Sequence, residues 1–158
     1  MSFGESLAVE CLKRMAQEEH SRDWLLYRHQ RLAAEGQYCW KVLKECLNTG
    51  VIDFNRKLVE AGQPALLTYE PHEAILFLKT SPFPQRQVEI VIDVNKQAFV
   101  MRTILTGDAT SAPEESPLEC IDFTLDAKDC FALNFRNEAI GCYALAHKIM
   151  KMLTLGRA

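Results

Sequence analysis

The chain has 158 residues, of which 48% are hydrophobic and 25% are charged, and its formal net charge is -3. This length and composition are typical of one globular domain with a sizeable core, and they exclude a disordered or fibrous protein. Residues 63–137 carry eleven acidic and six basic side chains. Because a surface that follows a phosphate backbone needs clustered lysine and arginine, we expect no nucleic-acid partner.

No apolar run reaches the roughly 18–20 residues that span a bilayer. The start of the chain also lacks the basic and then apolar pattern of a secretion signal, so we expect no membrane partner and a cytoplasmic protein. The six cysteines are dispersed, without a CxxC pair or a short regular spacing. In a chain of this kind, reduced cysteines that act as small core residues are favoured over disulfides.

Residues 5–62 form the helical part of the prediction, with about three helices. The first helix has one apolar face, whose members recur at i, i+3, i+4 and i+7 and are Ala8, Cys11, Leu12 and Met15. The polar run EEHSRD interrupts this pattern, and Ser21 within it is a candidate N-cap. The pattern therefore predicts a second helix that begins near Arg22.

The second predicted helix covers residues 22–48 and contains a glycine. Gly36 weakens a helix by about 1 kcal/mol relative to alanine, so it either lets a neighbour pack closely or splits the helix. The sequence NTG that ends at Gly50 predicts the end of this helix. A third, shorter helix follows and stops at Gly62.

After Pro64 the apolar pattern changes period, which predicts a β meander over residues 65–136. Its first hairpin turns at Glu70–Glu73. The second hairpin is the clearest, because a turn at Asn95-Lys96 sets apolar side chains opposite apolar ones and one acid opposite one base. The predicted pairs are Val91–Val100, Ile92–Phe99, Ile90–Met101 and Glu89–Arg102.

The third hairpin of the meander requires a three-residue or bulged loop, with Asp129 as the candidate for its left-handed position. This register aligns Ile121, Phe123 and Leu125 with Phe135, Leu133 and Phe131. Residues 106–117, between the second and third hairpins, are polar and without periodicity, and they are predicted to be a loop.

A C-terminal helix is predicted over residues 138–154, with its apolar face packed on the sheet. Residues 1–158 then form a single α+β domain: N-terminal helices, a six-stranded antiparallel meander of three hairpins, and the C-terminal helix. The strands are apolar on both faces at 74–78 and at Val91 and Val100, so the sheet needs cover there. We expect the long helix and the C-terminal helix to supply it.

The sequence contains no recognisable catalytic, cofactor or metal motif. Glu19 and Asp23, at helical spacing beside His20, are better explained as a solvated polar junction than as metal ligands. Cys130 is a candidate nucleophile only in the general sense that a distant histidine could reach it. We therefore predict no cofactor and no metal, and nothing in the sequence indicates an enzyme.

The aromatic-rich start of the second helix is the candidate binding surface. Trp24 and Tyr27, with Arg28 and Arg31 beside them, have the composition of protein-interface hot spots. The alternative is a helix that is packed on all sides and is therefore apolar all round. Of the two tryptophans, we expect Trp40 to be buried and Trp24 to be partly exposed, because Trp24 follows the polar EEHSRD run.

These observations predict a non-catalytic protein-binding or assembly module that binds a protein partner or associates with itself. The alternative is a small apolar-ligand-binding protein with a pocket between the curved sheet and the long helix. The candidate pocket residues are Phe77, Ile90, Ile92, Phe99, Met101, Phe123 and Leu133. A dry core filled by the same side chains is favoured over this pocket.

Phe83 lies between two prolines in the sequence SPFPQ, which joins the first and second hairpins. Its ring either caps the open end of the core or is held out as an anchor for a partner. We expect the cap, because burial of an aromatic ring removes a large apolar area from water.

Overall fold

The structure is a computed structural model that describes residues 2–156. Its elements are α1 (Phe3–Glu60), β1 (Leu67–Pro71), β2 (Ile75–Thr80), β3 (Gln85–Asp93), β4 (Ala98–Thr106), β5 (Glu114–Glu115), β6 (Glu119–Leu125), β7 (Phe131–Phe135), β8 (Glu138–Ile140) and α2 (Cys142–Leu155). The fold is α+β with an antiparallel sheet and a C-terminal helix, as predicted. The described residues contain two helices and eight strands, so the expected three N-terminal helices and six strands are wrong in number.

Helix α1 is one continuous helix of 58 residues, about 87 Å long at 1.5 Å per residue. Ser21 does not cap a second helix, because its hydroxyl donates to the carbonyl oxygen of Gln17 over 3.0 Å, a bond that serine makes inside helices. Gly50 does not end a helix, and it lies within α1 against the thioether of Met150 on α2. The helix ends just before Gly62, which has a left-handed φ of 81°.

Gly36 marks a close approach of α1 to the sheet. A Cβ atom at this position would lie 2.3 Å from Cε2 of Phe123 on β6. The glycine therefore lets the aromatic ring rest on the helix backbone, and it does not split the helix. One turn further along, Trp40 packs on Phe99, with ring centroids 5.5 Å apart.

The sheet has the strand order β1-β2-β3-β4-β6-β7-β8, and the short β5 pairs with β4. All four predicted pairs of β3 with β4 are confirmed, from Glu89–Arg102 to Ile92–Phe99. In the third hairpin, the predicted pairs Phe123–Leu133 and Leu125–Phe131 are confirmed. Asp129 has the expected left-handed backbone, with φ of 62°.

The two additional strands lie where the sequence predicts other structure. Strand β5 lies inside the predicted loop 106–117. Strand β8 occupies the first residues of the helix predicted over 138–154, and the observed helix α2 begins only at Cys142. Arg136 and Asn137 both have positive φ, 53° and 65°, and they form the tight turn between β7 and β8. Two-residue hairpin turns of this kind need positive φ at both positions, and only the asparagine is typical of them.

Both helices cover the same face of the sheet. Every second residue of β2 and β3 is buried, and these side chains form one core with the buried stripe of α1 and the apolar face of α2. The expected cover is therefore supplied on one face only. The other face is partly exposed, and on it Arg102 lies 2.8 Å from Glu89 and 3.2 Å from Glu115.

The expectations for the cysteines and for Phe83 need correction. All six cysteines are free, but Cys11, Cys120 and Cys130 are exposed and only the other three are half-buried. Cys120 belongs to the outward-facing residues of β6, and Cys11 lies on the part of α1 that has no neighbour. Phe83 is 43% exposed in the turn between β2 and β3, so its ring does not cap the core.

Replacing Gly36 with alanine should lower the free energy of unfolding by about 1–3 kcal/mol, because the added methyl group overlaps the Phe123 ring. Gly4→Ala is the matched control, since nothing lies within 4 Å of a Cβ at that position. The control should be neutral or slightly stabilising. Urea denaturation of both variants checks this, and a G36A protein as stable as the wild type would contradict the close contact.

Tyr69 on β1 provides a pH-dependent contact with α1. Its hydroxyl donates to the carbonyl oxygen of Lys44 over 3.0 Å, and burial raises the pKa of Tyr69 to about 12. An unfolded tyrosine loses its proton near pH 10, so the folded state holds the proton more tightly. Stability from this group is therefore complete below pH 10 and is lost as the pH rises towards 12.

The variant Tyr69→Phe should be less stable than the wild type at pH 8 by about 0.5–1.5 kcal/mol, the value of one hydrogen bond. Between pH 10 and 12 this difference should shrink, because the variant has no hydroxyl to ionise. Tyr143→Phe serves as the control, since Tyr143 is exposed on α2. Equal pH dependence in all three proteins would refute the role assigned to Tyr69.

Candidate functional site

Residues 3–26 of α1 lie outside the core, and we call this segment the arm. Every residue in it is exposed, whereas the stripe of buried residues on α1 begins at Leu32 and runs to Val51. The arm is about 36 Å long at 1.5 Å per residue. It is therefore a single helix that projects from the sheet without a neighbour in the described part of the chain.

The dimensions of the sheet explain why an arm exists. The longest strands have nine residues, about 30 Å at 3.3 Å per residue. Seven strands at a spacing of about 4.8 Å give a similar width. In neither direction can the sheet cover a helix about 87 Å long, so a large part of α1 must project beyond it.

Three side chains of α1 fasten the helix where the arm begins. The hydroxyl of Tyr27 donates to Oδ2 of Asp129 over 3.1 Å, and Arg31 forms an ion pair with the same oxygen. The amide of Gln97 donates to Nδ1 of His29 over 2.7 Å. Gln97 and Asp129 lie in the β3–β4 and β6–β7 turns, and both have positive φ. We call these five residues the latch.

The structure divides the four predicted partner-binding residues between two roles. Tyr27 and Arg31 belong to the latch, so their polar groups are used within the chain. Trp24 is 48% exposed and packs on the Tyr27 ring, with centroids 5.8 Å apart. Arg28 is half-buried beside them. Of the four residues, Trp24 is the one that the structure leaves on the arm.

The prediction for the two tryptophans is confirmed. Trp40 is 2% exposed, in contrast to Trp24. The indole N–H of Trp40 donates to the carbonyl oxygen of Glu73 over 2.7 Å. The two residues therefore lie in the two different parts of α1: Trp40 is packed under the sheet, and Trp24 is at the base of the arm.

The arm carries large apolar side chains that contact no core residue, in two groups separated by the polar segment 17–23. The exposed members are Phe3, Leu7, Val9, Leu12 and Met15 in the first group and Trp24, Leu25 and Leu26 in the second. Of the first group, the sequence pattern placed Leu12 and Met15, with Ala8 and Cys11, on one face of a helix that should pack. It did not indicate that the chain leaves this face uncovered.

The arm is helical although no other element of the described chain packs on it. At its start, Ser2 and Glu5 form a capping box, with the Ser2 hydroxyl 3.2 Å from the Glu5 nitrogen and the Ser2 nitrogen 2.7 Å from the Glu5 carboxylate. The backbone N–H of Ser2 lowers the pKa of that carboxyl group. Arg14 and Glu18 add an ion pair of 3.2 Å. The packed half of α1 supplies the helical nucleus, so the arm requires only propagation.

The structure brings six of the seven candidate pocket residues together in the core and places Phe77 apart from them. Phe77 lies on the outer face of the sheet, between the inward-facing Leu76 and Leu78. It lines a shallow cavity of about 230 Å³ with Thr68, Glu70, Lys79 and Gln87. The other six pack in the core under the helices and are buried: Ile90, Ile92, Phe99, Met101, Phe123 and Leu133.

Neither a metal-binding cluster nor a membrane-spanning helix is found in the described part of the chain. Within residues 2–156, no three His, Cys, Asp or Glu side chains lie close enough to hold a metal ion. No helix of the same residues has the length and apolarity to cross a membrane. The thiol of Cys142 lies 3.7 Å from the carbonyl oxygen of Cys39, and a hydrogen bond with the Cys39 thiol lowers the pKa of Cys142. This contact joins α2 to α1.

Comparison with known proteins finds no matching family model, no similar curated protein and no similar solved structure.

The variant Asp129→Asn should loosen the latch while keeping a residue that tolerates positive φ. Loss of the ion pair with Arg31 should cost roughly 1 kcal/mol, which corresponds to about fivefold faster amide exchange in residues 27–32 by mass spectrometry. Asp122→Asn is the matched control, since Asp122 is exposed on β6. Unchanged exchange in D129N would show that the latch does not hold the base of the arm.

Proposed function

We propose that the protein is a non-catalytic protein-binding or assembly module and that the arm is its binding element. The observation that carries this proposal is the exposure of large apolar side chains on the arm, which has no neighbour within residues 2–156. Leu12 is 65% exposed and Leu26 is 57% exposed. Apolar surface collected on one element is typical of interaction sites, whereas isolated exposed apolar residues are ordinary.

The latch supports the same proposal because it fixes the direction of the arm. Tyr27 and Arg31 hold the base of the arm to the β6–β7 turn, and His29 holds it to the β3–β4 turn. A helix held in this way presents its apolar face without an ordering cost at its base, which favours binding. Recognition of an amphipathic helix by a groove or by another helix uses side chains at this spacing.

The apolar-ligand alternative receives less support. A pocket between the sheet and α1 needs room there, but the Phe123 ring lies against Gly36 and the Phe99 ring lies against Trp40. The cavity beside Phe77 is on the opposite face, and its volume of about 230 Å³ is below the roughly 300–1,000 Å³ of typical ligand sites. A cytosolic location remains part of the proposal, supported by six free cysteines.

The double variant Leu12→Glu, Leu26→Glu should abolish binding, because it puts two charges on the apolar face of the arm. The matched control is Ser6→Glu, Gln17→Glu, which adds the same charge at exposed positions on the opposite side of the helix. Tagged proteins in native cell extract are compared by size-exclusion chromatography. The wild type and the control should elute in an assembly larger than the 18.0 kDa monomer, and L12E/L26E should elute as the monomer.

Elution of all three proteins as monomers would contradict the proposal. An assembly that persists unchanged in L12E/L26E would also contradict it, since the arm would then not be the binding element. Circular dichroism of the purified variants confirms that helix content is retained, because exposed glutamate is compatible with a helix.

A further inference from the structure

We infer that the partner of the arm is a second copy of this chain and that the two arms pair in antiparallel orientation. This inference rests on the proposed function and names its partner. The contact face, which we call the seam, consists of Ala8, Leu12, Met15, Glu19, Arg22 and Leu26.

The seam has the spacing of a two-helix contact. Its residues are separated alternately by four and three positions, which is the heptad pattern of helices that pack side by side. All six are exposed in the isolated chain. The buried stripe further along α1 includes steps of four residues in succession, from Leu32 to Gly36 to Trp40, and lies under the sheet. The two parts of α1 are therefore patterned for different neighbours.

Antiparallel pairing about the level of Gln17 gives every seam residue a compatible partner. Ala8 then lies opposite Leu26 of the second copy, so a small side chain meets a large one. Leu12 lies opposite Arg22 and Met15 opposite Glu19, where the apolar side chains cover the aliphatic stems of the charged ones. The two ends of the paired seam are therefore apolar on both sides, and nearer the twofold axis Leu12 and Met15 of each copy lie against the polar segment of the other.

Charge favours the antiparallel orientation over the parallel one. A parallel pair in register would set Glu19 against Glu19 and Arg22 against Arg22 on the seam, and like charges at such short range are destabilising. In the antiparallel pair these residues oppose Met15 and Leu12. On one flank of the seam, Arg14 comes beside Glu18 of the second copy.

The two Glu18 side chains meet near the twofold axis, and each is already paired with Arg14 of its own chain at 3.2 Å. The four side chains therefore form a network with two positive and two negative charges. Arg14 of each copy lies within about two residues, or 3 Å, of the axial level of Glu18 of the other copy. Such a network specifies the register of the pair more than its strength.

The size of the contact predicts a reversible dimer. A strip about 36 Å long and about 10 Å wide on each arm buries roughly 700 Å² in total. This area is at the low end of protein interfaces, where weak and transient complexes are found. We therefore expect association that depends on concentration in the micromolar range.

Sedimentation velocity of the purified protein tests the second copy as partner. Across a concentration series from low micromolar to several hundred micromolar, the wild type and the control Ser6→Glu, Gln17→Glu should shift from monomer to dimer. The seam variant Leu12→Glu, Leu26→Glu should remain a monomer. A wild type that stays monomeric throughout, or a dimer that persists in the seam variant, would overturn the inference.

Thiol crosslinking tests the orientation, because antiparallel pairing places the native Cys11 beside Leu25 of the second copy. Cys120 and Cys130, the other exposed cysteines, are first replaced with serine. A short bismaleimide should then crosslink the dimer efficiently only when Leu25→Cys is added. Efficient crosslinking through Cys11 alone would indicate parallel arms and would overturn the proposed orientation.

The two proposals fail in different ways. If the purified wild type is monomeric while extract still shows an assembly that depends on Leu12 and Leu26, the partner is another protein, and only the second-copy inference falls. If neither purified protein nor extract shows such an assembly, the proposed function falls as well.

Discussion

The contact between Gly36 and the Phe123 ring determines how α1 lies on the sheet. Because no Cβ separates the helix backbone from the ring, the two elements approach more closely here than ordinary side chains allow. Phe123 in turn contacts Phe99, which lies against Trp40, so a chain of aromatic rings follows from this approach. The latch closes on the same side of the molecule, and the point where the helix leaves the sheet is fixed with it.

Because of this placement, the arm is less stable against local opening than the rest of α1. Residues after Leu32 are held by the core and by side-chain bonds such as Asn55 to the backbone of Leu67. The arm is held by its capping box, its ion pair and continuity with the packed half. Segments with few tertiary contacts open most easily, so the arm is the part of α1 in which we expect the fastest amide exchange.

Apolar side chains that are exposed to water are unfavourable in a monomer. Their burial in the proposed seam would offset this cost. The polar segment 17–23 interrupts the exposed apolar surface of the arm. In the proposed pair of arms, its charges favour the antiparallel over the parallel orientation. The outer face of the sheet is different in character. On it, Arg102 forms ion pairs with Glu89 and Glu115 of the same chain. The proposed binding through the arm would therefore cover more of the exposed apolar residues than binding through the sheet.

The sequence by itself determined the parts of the structure in which neighbours in the chain are also neighbours in space. The register of β3 with β4 and the left-handed Asp129 followed from local pairing and turn chemistry. Local signals were misleading where tertiary contacts override them. Gly50 reads as a stop, but α1 continues through it because it packs on Met150 of α2. Ser21 reads as a cap, but it lies in the arm, where the helix propagates from the packed half and the serine hydroxyl donates to the Gln17 carbonyl oxygen. Only the tertiary structure decided which apolar face of α1 is covered, because coverage depends on the size of the sheet and not on the spacing of the residues.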